Sequence, residues 1–202
     1  MKRGISFLIG MLLLVGSGSL VHAVEGVEAA KPAMDPAMME KMQKATSPSE
    51  SHKLFEQMVG RWNYTSKFWM GPNQKPEETS GTSENTLIYG GRFLKQEVQG
   101  TWMGQPFEGT GYTGFDNIKQ TYISNWIDSM GTGIMKVSGS YNAATKTLEL
   151  SGVNSCPMTG SDRENRTEWK ILDADHQTYS SFLKDESGNE FKAMEIAYVR
   201  AK

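Results

Sequence analysis

The chain has one cysteine, Cys156, in 202 residues. No internal disulfide can form, so stability must come from a packed core. Cys156 lies beside Pro157 with no Lys, Arg or His within two residues, and it reads as an incidental loop thiol rather than an activated one. Histidine is nearly as scarce, at three residues. His52 and His176 have no second His or Cys at ligand spacing, which excludes a structural zinc site from the local sequence. Both read as surface histidines. His176 sits in a turn beside Asp173 and Asp175, poorly placed to point inward as a haem ligand. No G-x-S-x-G, S-x-x-K or close Cys–His pair supplies a nucleophile. Neither sign of charge dominates, with 21 basic against 23 acidic residues. That balance gives no electrostatic footprint for nucleic acid or an anionic membrane.

Long apolar runs are also missing, apart from residues 5–15. That run follows Lys2 and Arg3 and precedes Val21-His22-Ala23, a small-x-small cleavage site. Residues 1–23 therefore read as a signal peptide and the protein as exported, periplasmic or secreted. The run is too short to span a bilayer comfortably, so no membrane span is expected after cleavage. The remaining chain of about 179 residues suits one domain and a short arm. Without Lys2 and Arg3 its formal balance is 19 basic to 23 acidic residues, a net charge of −4.

What the sequence does contain is a ladder of short strands. Residues 24–46 form an expected flexible arm with a short helix, in which Asp35 caps and Pro36 occupies the first helical position. Met34, Met38, Met39 and Met42 cluster there. Thioether clusters can bind Cu(I), but a helix face docking on the domain is the simpler reading. Residues 47–202 form the expected domain. Ser47-Pro48-Ser49-Glu50 starts a second helix, with Ser47 as cap, that runs to about Val59 and stops at Gly60. Ten strand candidates follow: 61–70, 83–89, 92–103, 107–115, 120–129, 133–141, 147–153, 163–172, 178–184 and 191–200. Between most of them lie short breaks rich in Gly, Asn, Asp and Pro. Short breaks require sequential antiparallel pairing. The expected fold is therefore all-β, an antiparallel up-and-down barrel that hides its edges by closing. Gly109 and Gly111 share one face of the fourth strand, where they permit close approach of another group.

Gly60-Arg61-Trp62 after a short helix resembles the lipocalin and calycin group. In that group a basic residue from the barrel end packs across the Trp ring; Arg200 matches by type and position. A wider resemblance covers nearly the whole mature chain. Its segments are Glu50–Leu54, Gly60–Trp62, Gly90–Leu94, Gly104–Gly109, Gly114–Asn117, Trp126–Gly133 and Glu195–Arg200. In order and spacing they are similar to the bacterial family named domain of unknown function 1579. Phe115 departs from the Tyr expected there. The resemblance implies a lipocalin-like barrel and no particular reaction.

Strand alternation places side chains on faces. Trp62, Tyr64, Ser66, Phe68 and Met70 share one face; Tyr122, Ser124, Trp126 and Asp128 share another. A barrel of about ten strands is wide enough to leave interior space. The expected function is binding of a small apolar ligand there, by Tyr64, Phe68, Tyr122, Trp126, Asp128 and Trp169, with Trp62 and Arg200 structural. Met70, Met130 and Met135 join the expected lining. Two alternatives stay open. One is an enzyme using Asp128 and Tyr122 as acid–base groups; the other is a non-catalytic envelope scaffold. No residue pattern calls for a cofactor or a resident metal, and none speaks to oligomeric state.

Overall fold

The structure, a computed structural model, describes residues 34–156 and 160–202. The expected signal peptide and residues 24–33 of the arm lie outside the described residues. Helix α1 spans Pro36–Thr46, and the Asp35 side chain accepts from the Ala37 N–H at 3.0 Å as cap. A 3₁₀ helix follows at Glu50–Gln57. Ten strands complete the chain: β1 Gly60–Phe68, β2 Glu77–Ile88, β3 Phe93–Trp102, β4 Gln105–Asp116, β5 Thr121–Asp128, β6 Met135–Asn142, β7 Thr147–Cys156, β8 Ser161–Ile171, β9 His176–Lys184 and β10 Glu190–Arg200. Each strand pairs antiparallel with the next, and β1 pairs with β10 to close the barrel. Closure leaves no free sheet edge, as expected from the sequence.

The closing seam runs from Trp62 opposite Arg200 to Phe68 opposite Met194. At its start the Arg200 guanidinium lies 4.1 Å from the Trp62 ring centre. Arg200 also donates to the Val59 and Ala174 carbonyls, each at 2.8 Å. Trp62 is 1% exposed and donates its indole N–H to the Met58 carbonyl, which Asn85 also reaches. Gly60 has φ +129°, and a Cβ there would lie 2.3 Å from an Arg200 nitrogen. Glycine is thus needed twice over, for its backbone conformation and for the space the guanidinium fills. These contacts seat the 3₁₀ helix on the barrel end. Under it lies a core of Leu54, Phe55, Met58, Leu94, Tyr122, Val137, Leu148, Leu150, Trp169 and Ile171.

Several expectations need correction. The second helix is a shorter 3₁₀ turn capped by Ser49, not Ser47, and His52 occupies the capping-box place usually given to Glu or Gln. His52 is therefore not a surface histidine. It is 7% exposed, accepts from the Ser49 N–H at 2.9 Å and meets Phe55 and Phe115 edge-on. His176 is exposed and bonds Asp173. β2 begins six residues before its expected start, because the polar run Glu77–Thr82 pairs along the outer half of β1. Ladder bonds to β1 outweigh the weak strand propensity of that run. The Met face of α1 is not docked: Met38, Met39 and Met42 are about half exposed, and no α1 residue is buried. Its C-terminal end is held instead by polar bonds from Arg92 to the Thr46 carbonyl and from Asn117 to the carbonyls of Lys44, Ala45 and Ser47.

Two outcomes follow from this end of the barrel. Trp62→Ala is expected to cost about 3–5 kcal/mol as a large-to-small core change. Arg200→Ala should cost less, and the double mutant should deviate from additivity by about 0.5–3 kcal/mol in urea denaturation; strict additivity would contradict the stack. Burial lowers the His52 pKa, and the nearby Arg92 charge adds to this against the opposing Ser49 bond. The unfolded chain then takes up a proton near pH 6.5 that the folded chain refuses, so this stability is present above pH 6.5 and lost as pH falls toward the folded pKa. His52→Gln keeps a capping-box residue without titrating there. Its urea midpoint should fall less between pH 7.5 and 5.5 than the native protein's, and equal falls would contradict the assignment.

Candidate functional site

Alternation along all ten strands turns one set of side chains into the barrel. Near the 3₁₀ helix this set packs solidly. Toward the other end it does not. Trp169 and Tyr198 stack at 5.8 Å with planes 14° apart and form a floor. Trp169 is held by its indole N–H to Gln177, which in turn donates to the Gln57 carbonyl. Tyr64 and Tyr179 flank the floor, each with a ring centre 6.0 Å from one of the stacked pair. Above it stand Val98, Phe107, Trp126 and Ile196. Phe68 meets Trp102 edge-on at 4.4 Å near the mouth.

Phe107, Trp126, Tyr179 and Ile196 point inward yet remain only partly buried. Tyr179 keeps some accessible surface, although burial pushes its phenol up to about 12 against an opposing bond with Thr167. An inward residue ringed by a closed wall keeps such surface only where free space adjoins it. Burial raises the Tyr64 and Tyr198 phenols as well.

Two pairs of glycines explain why these rings leave room. A Cβ on Gly109 would lie 2.2 Å from the Trp126 ring, and one on Gly111 would lie 3.0 Å from it. The indole therefore lies flat on β4 instead of crossing the lumen. Gly81 and Gly100, on β2 and β3, do the same for Tyr64, whose hydroxyl would lie 2.6 and 2.3 Å from their added Cβ atoms. Gly109 and Gly111 were legible as a place of close approach. Gly81 and Gly100 carried no such signal singly, because they become neighbours only through the β2–β3 register.

The expected site residues separate accordingly. Tyr64, Trp126 and Trp169 border the lumen, and Phe68 stands at its mouth. Tyr122 does not face this space. It lies in the core under the 3₁₀ helix, 5% exposed, donating to the Ser51 carbonyl at 2.8 Å. Asp128 accepts from the Trp126 indole at 2.8 Å with one oxygen and from the Met130 N–H at 2.9 Å with the other. It holds the ring on the wall and the turn after β5. Tyr122 and Asp128 lie six residues apart on one strand, about 20 Å, so they form no acid–base pair. Met70 and Met130 are exposed; Met135 is inward, opposite Trp126. Sequence reading missed Tyr179 and Ile196, whose places follow from pairing with each other and with Trp169.

Two further clefts lie elsewhere. One of about 400 Å³ runs past Arg166, Phe182 and Glu190. There Arg166 sits 4.0 Å over the Phe182 ring and pairs with Glu190 and Glu168. A second of about 480 Å³ opens beside the 3₁₀ helix, between Lys53, Tyr122 and Tyr141. Both are open to solvent and would not enclose most of a ligand's surface. Among the described residues no helix is long and apolar enough to cross a membrane.

Solved structures share the fold. Rv2717c from M. tuberculosis aligns with TM-score 0.56 and 16% identity over 77% of this chain and all of its own. The S-type phycobiliprotein lyase CPES from Guillardia theta aligns with TM-score 0.51 and 13% identity, over 81% of this chain and 97% of its own. At such identities the likeness is one of architecture. No curated protein matches the sequence. Residues 47–200, the whole barrel with its 3₁₀ helix, match the model of the protein family of unknown function DUF1579, and the chain belongs to that family.

Proposed function

We propose that the protein is an exported binding protein that holds a small, largely apolar molecule in the barrel lumen. The observation that carries this is the glycine-backed wall. Trp126 and Tyr64 lie flat over Gly109/Gly111 and Gly81/Gly100, so large rings line the space without filling it. Aromatic faces, Val98 and Ile196 supply the apolar lining, while Gln96, Ser66 and Ser181 on inward positions supply a few polar groups. That mixture suits ligand pockets in general. The barrel is shared with a protein named as a phycobiliprotein lyase, and this agrees with a binding use of the fold without defining the ligand. Export rests on the sequence pattern of residues 1–23. N-terminal sequencing of periplasmic or secreted protein should begin at Val24, and recovery of full-length protein alone would contradict it.

An environment-sensitive naphthalene dye should bind with one-to-one stoichiometry and be displaced by apolar competitors. Gly109→Ala should force Trp126 off the wall into the lumen and weaken dye binding by about tenfold or more, the loss of roughly 1.4 kcal/mol, with the circular dichroism of the barrel retained. Trp126→Ala should change the affinity too, again with secondary structure intact. Dye binding that neither substitution alters would place the ligand outside the lumen.

A further inference from the structure

Among the described residues three buried side-chain atoms have no hydrogen-bond partner: Asn117 Oδ1, Asn154 Nδ2 and Asn165 Oδ1. Asn117 belongs to the β4–β5 turn that holds α1. The other two share the inward parity of β7 and β8. Asn165 faces Gly152 across the ladder, and Asn154 faces Arg163, which makes the two amides diagonal neighbours on one face. Such neighbours have Cα atoms about 7–8 Å apart, within reach of side chains that meet a shared third group.

The orientation of each amide is fixed by its other contacts. Asn154 Oδ1 accepts from the Lys136 N–H at 2.8 Å, beyond the last β6–β7 ladder pair, so it stands in for the missing strand bond. Its Nδ2 is left as a free donor. Asn165 Nδ2 lies 3.7 Å from the Met135 sulfur and 3.5 Å from Ser181 Oγ. A thioether can only accept, so the amino group belongs on that side and Oδ1 remains as a free acceptor. One unused donor therefore stands near one unused acceptor, both buried, where an unmade bond is costly. Arg163, the ladder partner of Asn154, directs its guanidinium to the Lys184 carbonyl and lies 5.9 Å from the Phe191 ring centre.

We infer that Asn154 and Asn165 form a polar station for a neutral ligand head that both accepts and donates, a hydroxyl or carboxamide, with the apolar remainder lying toward Trp126 and Tyr179. This rests on the lumen reading and adds the class of molecule. A carboxylate or phosphate would satisfy Asn154 but set negative charge against the Asn165 oxygen. A pure hydrocarbon would leave both amides unpaired.

The test is displacement of the naphthalene dye by a ten-carbon series: decane, decanol, decanamide and decanoate. Decanol and decanamide should displace it at roughly tenfold lower concentration than decane or decanoate, about one good hydrogen bond. Asn165→Leu should remove that preference and leave decane unchanged. Asn154→Asp retains the oxygen that caps Lys136 and turns the free donor into an acceptor. It should lose the preference for decanol and favour decylammonium over the native protein. Equal displacement by all four competitors would overturn the station, as would decanoate matching decanol or an ordered water in its place with no selectivity; the lumen reading would stand. Displacement by none of the four would overturn both.

Discussion

Everything in this barrel depends on the seam between its first and last strands. Ten antiparallel strands in sequence form an open sheet until β1 finds β10, and that pairing spans the longest sequence separation in the molecule. The Trp62–Arg200 stack fixes its register at one end. A guanidinium over an indole contributes about 1–2 kcal/mol, modest against the hydrogen bonds of the ladder. Its larger effect is positional. Arg200 reaches the Val59 carbonyl and Trp62 reaches Met58, so the same contact that closes the sheet seats the 3₁₀ helix over the barrel end. Gly60 makes this geometry possible, because a side chain there would occupy the guanidinium's place.

Closing one end divides the interior into two regimes. Under the 3₁₀ helix, Phe55, Met58 and Leu94 are at most 1% exposed and the core is solid. Beyond the Trp169–Tyr198 floor the side chains thin out into Ser, Thr, Asn and Gly, and the remaining rings lie along the wall. A barrel of this strand number is too wide for ordinary side chains to fill throughout. Here glycine pairs opposite Trp126 and Tyr64 keep the open half from being filled by the largest residues available. Packing is thus solid at one end and looser at the other. Asp128 accepts from the Trp126 indole and holds that ring against the wall.

The strand ladder was legible because alternation and turn residues are local signatures; closure followed from the need to hide sheet edges, and the Arg200 partner of Trp62 from the resemblance of Gly60-Arg61-Trp62 to the lipocalin group. What was not legible depends on register or on tertiary contact. Glu77–Thr82 looks like a loop until it pairs with β1. His52 looks like a surface residue until Phe115, from β4, packs against it. Tyr122 and Asp128 share a strand face, which suggested one site, but alternation gives a face and no depth. One lies in the core and the other at the rim. The amides of Asn154 and Asn165 have no pattern at all in the sequence, since what distinguishes them is the hydrogen bonds they lack.

The proposed residence of a small molecule in the lumen, and not in the outer clefts, is open to a direct test. A crystal structure of the protein with a brominated ten-carbon alcohol addresses it directly through the anomalous signal of the bromine. One dominant peak is expected inside the barrel between Trp126 and Tyr179, with the hydroxyl near Asn154 and Asn165. A peak confined to the cleft beside Arg166 or the one beside Lys53, with the lumen filled by protein side chains, would contradict it.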